Sequence, residues 1–79
     1  MAETTTTLGQ RIKSARIAAG LTQTRLARDA DVGPNALWGY ETDRVEPRIA
    51  TLVRMADVLG VDVGWLARGT YYVAGEAKR

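Results

Sequence analysis

GLTQTRLARDADVGPNALWGYE, residues 20–41, reads as two short helices with only a few residues between them. Thr22 is a good N-cap, with Leu21 before it and Leu26 at the fourth helical position, the arrangement of a hydrophobic staple. The helix it starts is expected to run to about Ala30. Asp31, Val32 and Gly33 make a very short connection. Pro34 then stands at a first-turn position, where no amide hydrogen is needed and a preset φ helps, so the next helix is expected over Pro34 to Glu41.

The flanking sequence continues the pattern. Thr7 and Gln10 have the spacing of a capping box, so a first helix should begin at Leu8. Leu8, Ile12, Ala15 and Ala19 fall on one face, and Gly20 stops that helix near residue 19. Residues 1–7, rich in Thr and carrying Glu3, read as a loose leader and not as a basic arm. Thr42 to Pro47 reads as a loop. Ile49, Leu52, Val53, Ala56 and Leu59 then share a face of a fourth helix that Gly60 ends. Asp62 caps a short fifth helix, with Val61 and Leu66 as a second staple and Gly69 as its stop. The expected architecture is all-α, a compact five-helix domain over residues 8–69. Residues 70–79 form a tail in which Tyr71, Tyr72 and Val73 favour a strand. That tail is either a dimerising strand or an extended terminus.

Composition narrows the function. With 79 residues and 46% of them hydrophobic, the chain has material for one core only. Cysteine and histidine are absent and Ser14 is the only serine, which removes disulfides, thiolate nucleophiles, imidazole bases and ordinary zinc sites. No cofactor or metal is expected, and no catalytic constellation suggests an enzyme. The apolar runs are far shorter than the ~20 residues of a membrane span, and no cleavable signal precedes the first helix, so a cytoplasmic location is expected. Eleven Lys and Arg against nine Asp and Glu give a net charge of +2, which permits an acidic partner without requiring one.

Two charges sit beside apolar rows. Arg16 follows Ile12 by four and Ala15 by one, and Glu41 follows Leu37 by four and Tyr40 by one. A desolvated charge costs several kcal/mol unless it is paired. Either the two meet as an ion pair tying the first helix to the third, or both lean out to solvent.

Residues 20–41, followed by Pro47, by LVRMADVLGVDVGWL at residues 52–66 and by Gly69, resemble the phage-repressor and Cro type (lambda repressor-like) of helix-turn-helix domain. The likeness rests on Gln23 opening helix two, on Leu26 and Ala27, on Leu37 and Tyr40 facing inward, on the Tyr40-Glu41 pair, and on the LGV and WL words. It implies a double-stranded DNA partner, with the third helix in the major groove. It also implies that Arg16 and Glu41 are paired, and that Gln23 contacts a DNA phosphate, a role suited to the unpaired amides of a helix start. By position, the base-facing residues are Pro34, Asn35, Trp38 and Gly39. Asn35 is the best direct reader, since its amide can both donate to and accept from adenine, although a first-turn Asn can equally bond to local backbone. Trp38 either projects toward thymine methyls or plugs a gap against helix two. Pro34 and Gly39 bring no side-chain donors or acceptors, so direct readout is expected to be thin and supplemented by the bending preference of the site.

Phosphate contacts are expected from Thr22, Gln23 and Gly33, from Arg44 and Arg48 around the loop after helix three, and less strongly from Arg11 and Arg25. Asp31 stands where relatives usually carry Gly in the turn, and Asp43 where Gly or Asn often ends helix three; aspartate tolerates left-handed backbone at both. Relatives bind as symmetric dimers, so a homodimer is expected, with Val61, Val63, Trp65, Tyr71 and Tyr72 as candidate interface residues; Trp65 is equally read as plain core. The function implied is a sequence-specific transcriptional regulator, a repressor on a palindromic operator. The competing class is an antitoxin or similar module that holds a protein partner through the same fold.

Overall fold

The computed structural model describes residues 6–68, where five helices follow one another: α1 (Leu8–Ala18), α2 (Gln23–Asp29), α3 (Pro34–Glu41), α4 (Ile49–Leu59) and α5 (Val63–Leu66). There is no strand among the described residues. Local chemistry sets the boundaries. The Thr7 hydroxyl accepts from the Gln10 amide while the Gln10 side chain accepts from the Thr7 amide at 2.9 Å, a complete capping box. Thr22 accepts from the Arg25 amide and Asp62 from the Trp65 amide, so α2 and α5 are capped by their own side chains. Gly20 and Gly60 take φ of 75° and 72°, conformations that let the chain leave α1 and α4 without a Cβ penalty.

Ile12, Leu26, Leu37, Leu52, Met55 and Leu66 are completely buried and join all five helices in one core. α1 and α2 both pack on α3, while α4 packs on α2 and α5. Two details differ from the sequence pattern. Ala19 serves as the C-cap of α1 and is exposed. On α4 the buried row is Leu52, Met55, Ala56 and Leu59, a spacing of three, four and seven, while Ile49 and Val53 are 54% and 41% exposed. Val53 lies about 100° around the helix from Leu52, off the packed side.

The start of α1 presses against the end of α3. A Cβ on Gly9 would stand 2.5 Å from the Tyr40 carbonyl oxygen and 2.7 Å from that of Glu41, so only glycine fits. Asp43, at φ 62°, turns its carboxylate back to accept from the Gly9 amide at 2.9 Å and from the Thr7 hydroxyl. The loop after α3 is thereby fastened to the start of α1.

Candidate nucleic-acid interface

The connection between α2 and α3 is built from backbone. Ala30 caps α2, Asp31 takes φ 59° to reverse the chain, and the Val32 amide donates to the Ala27 carbonyl at 2.8 Å. Arg54 of α4 secures the same turn, its Nε donating to the Ala30 carbonyl at 2.9 Å. Gly33 precedes α3 with no side chain to cap it. The first-turn amides of Asn35 and Ala36 are thus left without an acceptor in their own helix.

Leu37 and Glu41 occupy the inner side of α3, and Pro34, Asn35 and Trp38 are exposed. The Asn35 side chain makes no hydrogen bond to another described residue. Trp38 is 47% exposed, and the Arg44 guanidinium carbon lies 4.9 Å from the centre of its ring. Gly39 has a different place from the one expected. It is buried, with Val45 packed where a side chain would begin, because the amides of Arg44 and Val45 both donate to its carbonyl and fold the loop over it.

Arg16 and Glu41 form an ion pair, Nε to Oε2 at 2.7 Å with the second guanidinium nitrogen 3.1 Å from Oε1. Arg16 also donates to the Leu21 carbonyl, and the Gln23 side-chain amide donates to Glu41 Oε1 at 3.0 Å. This buried cluster joins α1, the turn after it, the first residue of α2 and the last residue of α3. Gln23 is half-buried, with one amide hydrogen committed to Glu41 and the other still available to an acceptor outside.

The other expected phosphate ligands divide. Thr22, Gly33, Arg25, Arg44 and Arg48 are exposed, and Arg25 is also paired with Asp29 at 2.8 Å. Arg11 is buried instead, at 6% exposure. Its guanidinium donates to the carbonyls of Leu66, Thr6 and Arg68, so it holds the domain together and presents nothing to a duplex. Of the candidate interface residues, Val61 and Val63 pack against the core at partial burial and Trp65 is 40% exposed. Tyr71, Tyr72 and the Gly69 stop lie outside the described residues.

Sequence reasoning passed over Arg54, Gly9 and the bonding of Asp43. Arg54 gave no signal, since its acceptors are carbonyls from another part of the chain. Gly9, inside a helix pattern with no stop nearby, was a signal of close backbone approach.

Two helices joined by a tight turn, the second presenting its start and one side to solvent, are the architecture of a helix-turn-helix domain. The helix-turn-helix domain family matches residues 7–68, and the chain belongs to it. Among curated relatives, the immunity repressor protein of Bacillus phage phi105 is 42% identical over 57 residues, covering 72% of this chain and 40% of the relative. An uncharacterized SPbeta prophage-derived HTH-type transcriptional regulator, YonR of Bacillus subtilis, is 32% identical over 63 residues, covering 80% of this chain and 58% of the relative. The chain thus spans about half the length of the curated relatives it matches. Among solved structures, the P22 c2 repressor in complex with synthetic operator 9T aligns with a TM-score of 0.77 and 25% identity, covering 82% of this chain and 98% of that one. The N-terminal DNA-binding domain of SinR from Bacillus subtilis aligns at 0.74 and 32% identity, covering 82% and 96%. SinR is also solved in complex with DNA and with the SinI protein.

Proposed function

We propose that this chain is a sequence-specific double-stranded DNA-binding transcriptional regulator, acting as a repressor that occupies a palindromic operator as a homodimer. The observation that carries the reading is the exposed face of α3, where Pro34, Asn35 and Trp38 stand clear of the subunit beside uncapped first-turn amides. In this reading α3 enters the major groove, Asn35 reads adenine, and Trp38 lies against thymine methyls. Gln23, Thr22, Gly33, Arg48 and Arg25 contact the phosphates on either side. The relatives named as repressor and regulator, and the P22 c2 and SinR structures with DNA, support it. A dimer is expected because one small domain buries too little surface for tight specific binding, and Trp65, exposed on α5, is its first candidate contact. A cytoplasmic location follows from that function, and no helix among the described residues is long and apolar enough to cross a membrane.

Selection of binders from a random duplex pool, followed by affinity measurement at two salt concentrations, tests the proposal. It requires an enriched palindrome whose half-sites lie one helical turn apart; binding indifferent to sequence rejects it. A protein-partner role, as in an antitoxin, is the second reading, supported by the SinR complex with SinI.

A further inference from the structure

Trp38 offers a large ring on the exposed side of α3, and the Arg44 guanidinium carbon lies 4.9 Å from its centre, within the range of a cation–π contact. Arg44 does not reach that place from a loose loop. The Thr42 hydroxyl donates to the Trp38 carbonyl at 2.9 Å, the Arg44 amide donates to the Gly39 carbonyl at 2.9 Å, and the Asp43 carboxylate is held by the Gly9 amide. No described carboxylate pairs with Arg44. A guanidinium held beside a ring and not paired with a carboxylate keeps donors available, as a planar fork that fits O6 and N7 of guanine.

We propose that Trp38 and Arg44 form one composite reader of two neighbouring base pairs, the ring meeting a thymine methyl and the guanidinium edge meeting guanine. The inference rests on the DNA-binding reading above and makes Arg44 a determinant of sequence instead of a backbone tether. Successive bases rise about 3.4 Å along a strand. The 4.9 Å between guanidinium carbon and ring centre is comparable with that rise, so the two groups are close enough together to address neighbouring pairs. The pairing also supplies the polar reader that Pro34 and Gly39 do not.

The test selects sites for the wild type, Arg44→Lys, Trp38→Ala and Trp38→Phe from a pool of duplexes randomised over about two helical turns. Matching far-UV spectra establish that each variant is folded. The expected wild-type half-site contains thymine beside guanine. Arg44→Lys keeps the charge and loses the planar fork, so preference for that guanine falls by roughly 5- to 150-fold while other positions keep theirs. Replacing the thymine by uracil weakens binding by the wild type and leaves Trp38→Ala unaffected. Trp38→Phe, which retains a ring, keeps the guanine preference. If Arg44→Lys retains affinity and every base preference, Arg44 is a phosphate tether and the inference is overturned with the DNA-binding reading intact. If the wild type selects no sequence at all, the regulatory reading itself fails and takes this one with it.

Discussion

A single carboxylate carries much of the domain's internal order. Glu41 has 2% of its side chain exposed and receives hydrogen bonds from Arg16 on one helix and Gln23 on another. Removing one partner of a buried pair leaves the other charged and desolvated, so Glu41→Ala is expected to lower stability by about 3–5 kcal/mol, measured by urea denaturation. A loss below ~1 kcal/mol would mean that Arg16 escapes to solvent once released. The placement of these two charges beside apolar rows was legible from helical period alone. The third member was not: Gln23 reads as a phosphate contact at the start of α2, and only the approach of α3 brings Glu41 within reach of its amide. Arg11 was misjudged for a related reason. Its period gives no hint that carbonyls 55 and 57 positions away close around it.

The helices themselves were the most readable part, because their ends are decided within a few residues. Thr7, Thr22 and Asp62 cap as their spacing suggests, and Pro34 opens α3. Less readable was which apolar residues of α4 go inside, since hydrophobic positions cover more of that helix than its neighbours do; Met55 is buried and Ile49 is not. The two turns that border α3 offer a sharper test. Asp31 and Asp43 share left-handed backbone, at φ 59° and 62°, but only the Asp43 side chain bonds to another element. Asp31→Gly therefore relieves backbone strain and should stabilise by up to about 1 kcal/mol. Asp43→Gly gains the same relief and loses two hydrogen bonds, one of them to the Gly9 amide, so it should destabilise by about 1–2 kcal/mol. Thermal unfolding of the two variants should shift in opposite directions.

At the scale of the whole molecule, arginines separate into those that face outward and those that hold the fold. Arg48 is exposed at the loop bordering α3. Arg48→Ala should reduce the slope of log affinity against log salt by about one and leave unfolding nearly unchanged. Arg11→Met should do the reverse, costing about 3 kcal/mol in urea denaturation with the salt slope preserved in whatever fraction remains folded. That second arginine has a topological corollary. Since one guanidinium grips carbonyls of Thr6 and Arg68, the two extremities of the helical body are neighbours in space. A short peptide bridging them, with fresh termini opened between Thr42 and Pro47, should give a circularly permuted protein that still folds. In that rearranged chain a covalent link does what the guanidinium did, and the Arg11→Met penalty should shrink.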